Sequence, residues 1–348
     1  MFKILRSSRF LIILVLLFSS FFLLPRILKK QEINPVVISG LTMGTYYRVT
    51  YFPDSLKISK KEVKQRLEAD LLELNRQMST YREDSEITQV NRKEKEKKIK
   101  ISPWFSYVLD YSLHLAKQTE GLFDPTIGPL VNLWGFGPQG PQRNPSEKQI
   151  KKVMEVVGYR NLIFNSTYLS KKKRETYLDL SSVAKGFSVD LLSKTLLHLG
   201  LKNHLVEIGG ELKGVGYKLN NESWTIGIEY PQVARKVYSL VKLKNQGIAT
   251  SGNYRNFLKT EEGLVAHTID SRTGRPARSD LVSVTVLDKE CMKADALATT
   301  FIVMGFAKAK KFAEEHKISA LFILKRKNEL VTRTTGVFKK SMKELSFV

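Results

Sequence analysis

The sequence predicts an α+β fold with a largely antiparallel sheet and helices packed on it. Three observations carry this expectation. Short β-type segments at 204–208, 224–229, 238–242, 247–251, 265–269 and 282–287 follow one another without the strand–helix alternation that a doubly wound sheet needs. Helical periodicity is gathered instead into a few long stretches. Apolar residues make up 42% of the 348 residues and charged residues 26%, which suits a sizeable core and excludes both a disordered chain and a multi-span membrane protein.

The elements follow in order. Lys3, Arg6 and Arg9 precede an uncharged run of 15 residues, Phe10 to Leu24, and Pro25, Arg26, Lys29 and Lys30 follow it. A basic start before an apolar run is the plan of an export signal. The run is short of the roughly 20 residues that span hydrocarbon, but Ile27 and Leu28 extend it and the basic side chains can snorkel. With no small-residue cleavage site after it, residues 1–30 are expected to form an uncleaved signal-anchor, with the body on the extracytoplasmic side of the cell membrane. Residues 31–40 read as a tether and 41–348 as one domain. Thr45 to Phe52 reads as a strand, and Val63, Leu67, Leu71, Leu74 and Met78 mark an amphipathic helix. Ser102-Pro103 starts a helix running to about Thr119. Ser146 and Gln149 form a capping box before the apolar stripe Ile150, Val153, Met154 and Val157. Further helices fit 182–199 and 294–315, and 319–324 with 330–334 make a closing hairpin.

The formal charge of +23 invites a nucleic-acid reading. Six of the positive charges lie in the first thirty residues, where they serve membrane topology. Runs such as Lys171-Lys-Lys-Arg174 carry no interleaved aromatics and belong to no nucleic-acid motif, so they read as solvated loops near an anionic membrane, and no nucleic-acid partner is expected. The single cysteine, Cys291, excludes a disulfide framework, a zinc ribbon and a CxxC site. Gly135-Phe-Gly137-Pro-Gln-Gly140 matches GxGxxG in letters only, because Pro138 and Pro141 forbid the helix that must open inside it. The five histidines show no metal-ligand spacing.

Four segments stand out: Thr42-Met-Gly-Thr45; Gly121-Leu-Phe-Asp-Pro-Thr-Ile-Gly-Pro129; Asp179-Leu-Ser-Ser-Val-Ala-Lys-Gly186; and His267-Thr-Ile-Asp270, followed by Ala294-Asp-Ala-Leu-Ala-Thr299. In the third, an acid, two hydroxyls and Lys185 meet at a helix start, where backbone N–H groups and an ammonium can receive phosphate. In the fourth, Asp295 and Thr299 are four apart, so a helix turns both oxygens the same way. That pair suits a hard ion such as Mg²⁺ better than zinc. Asp295 serves equally as an acid answering the helix dipole.

Together these segments, with Val206-Glu-Ile-Gly-Gly210 and Thr250-Ser-Gly-Asn-Tyr-Arg255, resemble the ApbE family, flavin transferases that take FAD and attach FMN covalently to a threonine of a target protein. The resemblance runs from about Gly40 to the C-terminus and implies an ApbE-like (T-fold-like) catalytic domain. It implies a flavin site at Met43, Tyr81, Leu122, Phe123, Asp124, Asp179, Lys185 and Ile269. It implies a Mg²⁺ site of the Ser182 carbonyl, Asp295 and Thr299, and a transfer role for His267, with Asp270 as the competing base or orienter. The implied substrates are FAD and a separate acceptor protein, such as a subunit of a sodium-pumping quinone reductase or Rnf-type complex or a protein with an FMN-binding domain. Ala298 stands where some relatives carry a further acid, and Ser271 where a proline is common. Two other functions need the same pocket: an FAD pyrophosphatase yielding FMN and AMP, and a surface flavin-binding protein without activity.

Overall fold

The computed structural model describes residues 34–53, 58–137, 145–231, 236–252, 257–260, 263–266, 268–327 and 329–344. The chain divides into two units, Met1–Asn34 and Pro35–Val348, and apart from Asn34 everything described belongs to the second. The expected anchor, residues 1–30, lies outside the described residues, as does His267. Among the described residues no helix is long and apolar enough to cross a membrane.

An eight-stranded sheet organises the domain. Its strands are β1 (Val36–Thr42), β2 (Thr45–Tyr51), β3 (His204–Ile208), β4 (Glu211–Val215), β5 (Gln246–Gly252), β6 (Leu281–Asp288), β7 (Ser319–Arg326) and β8 (Glu329–Thr334). Spatial order follows sequence order and every neighbouring pair is antiparallel, as the run of strands without crossover helices implied. The expected tether ends early. From Val36 onward it is the edge strand β1, paired with β2 from Val36↔Tyr51 to Thr42↔Thr45. Its β-branched residues and the burial of Ile38 favour the ladder over a free linker.

The central strands are buried on both faces, so their side chains divide between two cores by the period of two. Val284, Val286, Ala320, Phe322 and Leu324 join the core under the helices. Ile248, Leu287, Leu321 and Ile323 join a second core with Trp224, Val241 and Phe338. That second core is closed by a small sheet of Trp224–Glu229, Val237–Leu243 and Met342–Glu344.

The long insert between β2 and β3 supplies most of the helical layer. Helix α1 (Lys60–Met78) starts at a Ser59–Glu62 capping box and buries the expected stripe of Val63, Leu67, Leu71, Leu74 and Met78. Helix α2 (Pro103–Gln118) starts where Ser102-Pro103 placed it, although the Ser102 hydroxyl donates to Gln77 Oε1 at 2.6 Å and forms no cap. The Ser146–Gln149 capping box opens Glu147–Met154 as expected. Helix α3 (Ser181–His198) packs on α4 (Cys291–Met304), and both lie on the sheet. The helix expected over 294–315 is two helices. Gly305, at φ 72° and ψ 162°, turns the chain out of α4, and the Asp280 carboxylate accepts the Phe306 N–H at 3.0 Å to open α5 (Phe306–Glu315). The strand expected over 265–269 is likewise two pieces: Gly263–Ala266 pairs with Phe257–Thr260, and Ile269–Asp270 with Arg275–Pro276.

One core histidine ties β3 to α3. His204 is fully buried, with Nδ1 2.7 Å from the Leu201 carbonyl and Nε2 2.8 Å from the Ser193 hydroxyl. Burial, opposed by the Leu201 carbonyl and aided by the charge of Lys213, brings its pKa down to about 4. The fold therefore favours the neutral ring. Its contribution to stability is complete above about pH 6.5 and is lost as pH falls towards 4, by roughly 3 kcal/mol at most. Urea unfolding at pH 7.5 and pH 5 should register this loss, and NMR should find the His204 ring neutral at pH 5.5. A ring titrating near pH 6.5 would contradict the burial argument.

Candidate active site

One cavity of 1460 Å³ gathers most of the residues singled out from the sequence. That volume exceeds the roughly 300–1,000 Å³ of pockets for drug-sized ligands and fits an extended ligand. Leu122, Phe123, Asp124, Asp179, Ser182, Lys185, Ile269, Asp295 and Thr299 all line it. Met43, Tyr81 and Asp270 are not among its lining residues.

The charged end is built where α3 meets α4. Asp295 and Thr299 share a face of α4, as their spacing required. Asp295 is 4% exposed, and its Oδ2 accepts the Gly186 N–H of α3 at 2.9 Å. Gly186 is four residues beyond Ser182, so its amide is the regular helical partner of the Ser182 carbonyl, and the carboxylate competes for that proton. Close approach of the two helices requires the glycine. A Cβ there would lie 2.4 Å from the Cys291 carbonyl oxygen and 2.8 Å from Asp295 Cβ. The Thr299 hydroxyl lies 2.9 Å from that of Ser251 on β5.

Lys185 Nζ donates to Glu211 Oε1 at 2.6 Å. Glu211, at the start of β4, is 4% exposed and was not singled out from the sequence. Burial and the neighbouring Asp295 carboxylate push its pKa up to about 7 against the pull of Lys185. Burial also raises Asp295, with Lys185 and the Gly186 N–H opposing. Burial works against the Lys185 ammonium, but Asp295 and Glu211 outweigh it and hold that charge well in place. Among the described residues no three His, Cys, Asp or Glu side chains cluster as a metal site. A cation here would rest on carboxylate, hydroxyl and carbonyl oxygens together, a hard donor set that fits Mg²⁺.

The loops of the cavity wall are tied by their own polar groups. Both oxygens of Asp124 are used: Oδ1 accepts the Thr126 N–H at 2.8 Å and hydroxyl at 2.6 Å, and Oδ2 the Tyr159 N–H at 2.7 Å. Asp179 Oδ1 accepts the Ser181 N–H at 2.9 Å and hydroxyl at 2.5 Å, so it steadies the first turn of α3 from just outside the helix. Ser271 is buried, and its hydroxyl lies against the carbonyls of Gly121 and Leu122, joining the 121–124 segment to Ile269. Trp134 Nε1 donates to the Gly274 carbonyl at 2.7 Å and packs beside Ile269.

Three expected site residues stand elsewhere. Met43 occupies the β1–β2 turn at φ 51°, half-buried against the helical core. Tyr81 is 71% exposed. Asp270 is taken up by Arg272, whose Nε and Nη2 lie at 3.0 and 2.8 Å and whose backbone N–H adds a third bond. Half-burial raises its pKa, but these bonds more than offset it and hold the carboxyl below its ordinary range. A carboxylate so paired is a poor base, which speaks against the base role expected of Asp270. Sequence reasoning also passed over Tyr46, Arg48, Thr50, Leu205 and Glu207, which line the cavity from β2 and β3. Their period of two, opposite the buried Tyr47, Val49 and Tyr51, is a signal that could have found them. Among the described residues the lining holds six acidic side chains (Asp124, Asp179, Glu207, Glu211, Glu229 and Asp295) and two basic ones (Arg48 and Lys185). The described lining is thus acidic, whereas the chain as a whole is basic.

Comparison with known proteins identifies the group to which this arrangement belongs. The model of the ApbE family matches residues 43–322. The chain belongs to the ApbE family. It is 38% identical over 320 residues to a Haemophilus influenzae protein named FAD:protein FMN transferase, covering 89% of this chain and 92% of that one. A Vibrio cholerae protein of the same name is 39% identical over 298 residues, covering 85% and 89%. Among solved structures, the flavin transferase ApbE from Vibrio cholerae superposes with a TM-score of 0.82 at 37% identity, over 88% of this chain and 99% of that one. The transferase expectation drawn from the sequence agrees with these names, and the α+β, antiparallel architecture with that structure.

Substituting Gly186 tests the helix contact on which the charged end depends. Gly186→Ala should destabilise the domain by about 1–3 kcal/mol through overpacking, read by chemical denaturation. An unchanged midpoint would show that α3 and α4 do not need this close approach.

Proposed function

We propose that this chain transfers FMN from FAD to a threonine of an acceptor protein, releasing AMP. The observation that carries the reading is the meeting in one large cavity of the Lys185–Glu211–Asp295 charge cluster with the 121–124, 179–185 and 269 segments. The flavin ring would take the apolar wall around Leu122, Phe123 and Ile269, steadied by the Ser271 and Trp134 cross-links. Met43 and Tyr81 are assigned to the flavin by family resemblance. The pyrophosphate would lie toward Lys185 and the start of α3, where N–H groups and an ammonium favour an anion.

The reaction replaces the phosphoanhydride bond of FAD by a phosphoester bond. The acceptor hydroxyl oxygen bonds to the FMN phosphorus, the bond from that phosphorus to the bridging oxygen breaks, and AMP leaves with the bridging oxygen. The hydroxyl proton needs an acceptor near neutrality, and His267 is our candidate on sequence grounds. The Ser182 carbonyl, Asp295 and Thr299 are our candidates for holding Mg²⁺. Bound there, the ion would offset pyrophosphate charge and stabilise the leaving group. We further propose that residues 1–30 anchor the domain to the cell membrane on its extracytoplasmic side. The acceptor would be a quinone reductase or Rnf-type subunit, or a protein carrying an FMN-binding domain.

Incubation with FAD, Mg²⁺ and a threonine-bearing acceptor, followed by intact mass, tests the reaction. Gain of FMN by the acceptor is expected. Free FMN and AMP alone would indicate an FAD pyrophosphatase, and unchanged FAD a binding protein. His267→Ala should slow transfer by about 100- to 10,000-fold while FAD still binds, the range for loss of a general base. Full activity in that variant would remove the histidine from the mechanism. Asp295→Ala should lose turnover together with its response to Mg²⁺. Turnover with an unchanged metal response would refute the metal assignment.

A further inference from the structure

Glu211 is held in a state that the domain alone does not complete. Its Oε1 receives the Lys185 ammonium, whereas Oε2 is buried without a hydrogen-bond partner. Only one other buried side-chain polar atom among the described residues, Ser239 Oγ, shares that condition. Leaving a buried acceptor unsatisfied costs on the order of 1–3 kcal/mol, and more when it is charged. The charges do not close either. Two buried carboxylates, Glu211 and Asp295, act on the single ammonium of Lys185. Strand β4, which carries Glu211, packs against both α3 and α4, and all three side chains line the same cavity.

We propose that Glu211, through Oε2, is a further protein ligand of the divalent cation, beside the Ser182 carbonyl, Asp295 and Thr299. The inference rests on the metal reading given under Proposed function. It removes both anomalies together: the orphaned oxygen gains a cation, and the second carboxylate gains its counter-charge. A site with two carboxylates that leaves other positions to water and substrate phosphate is the usual manner of holding Mg²⁺.

The test is Mn²⁺ binding to the full chain, followed by loss of the free-ion EPR signal, with and without ADP as a pyrophosphate-bearing partner. Glu211→Gln should weaken Mn²⁺ binding by about tenfold or more, whereas Lys185→Met, which removes a competing positive charge, should leave binding in the absence of ADP equal or tighter. Equal affinity in Glu211→Gln and the wild type would overturn the proposal. So would equal weakening in Glu211→Gln and Lys185→Met, which would mean that Glu211 acts only by placing the lysine. Should the glutamine variant not fold, Lys185→Met is compared with the double variant Lys185→Met/Glu211→Leu, an apolar replacement of the kind that buried ion pairs tolerate. Only the double variant should lose Mn²⁺, and matching affinities would again refute the assignment. A wild-type chain that binds no Mn²⁺ in either condition would refute the metal reading itself, and this inference with it.

Discussion

A carboxylate taken out of water needs hydrogen bonds or a counter-charge, and Asp295 obtains both from the helix packed beside its own. The Gly186 amide supplies the hydrogen bond and Lys185, one residue earlier, the charge. Both come from the opening turns of α3, and both depend on α3 and α4 approaching to a distance that tolerates no Cβ at Gly186. The rest of the charged end follows from that contact. Lys185, held toward Asp295, reaches Glu211 on β4, and Thr299, one turn beyond Asp295, reaches Ser251 on β5. Helix packing thereby becomes electrostatic placement, and the sheet beneath the helices sets the remaining donors.

The far end of the cavity is placed by different means. Its wall is loop, and loops hold position only when their polar groups are satisfied locally. Asp124 spends its whole carboxylate on Thr126 and Tyr159, Ser271 caps the carbonyls of Gly121 and Leu122, and Trp134 secures Gly274. Several residues that resemblance assigns to flavin thus act first on the protein. Asp124 shapes the turn that presents Leu122 and Phe123, and Asp179 steadies the turn that presents Ser182 and Lys185. The serine at 271, where the resemblance leads one to expect a proline, contributes a hydroxyl that a proline cannot.

Periodicity and caps made the larger elements legible. The stripe of α1, the Ser146–Gln149 box and the 319–334 hairpin stand where their patterns placed them, because each is determined by residues close in sequence. The misses have non-local causes. Whether 294–315 is one helix or two depends on Asp280, distant in sequence, receiving the Phe306 N–H. Whether 36–40 is tether or strand depends on β2 lying alongside, which no local pattern reports. In the site, Asp295 and Thr299 were legible as an i, i+4 pair. Glu211 was not, because its meaning lies in Lys185, twenty-six residues away and joined to it only by the α3–β4 packing. Asp270 shows the converse, since an acid promising in sequence is consumed by a neighbour two residues on.

The contrast of charge between the chain and the described lining constrains the chemistry further. The chain carries +23, yet among the described residues six acids and two bases line the cavity. Long-range attraction can bring an anionic dinucleotide to so basic a body, but it does not explain tolerance of a pyrophosphate beside Asp295 and Glu211. In a low-dielectric site those like charges repel strongly, and Lys185 already answers the carboxylates. Under the proposed function, positive charge bound together with the pyrophosphate would offset this repulsion. A divalent cation held by the carboxylates, as proposed, would do so, and would turn the acidic lining from an obstacle into a means of holding the ligand.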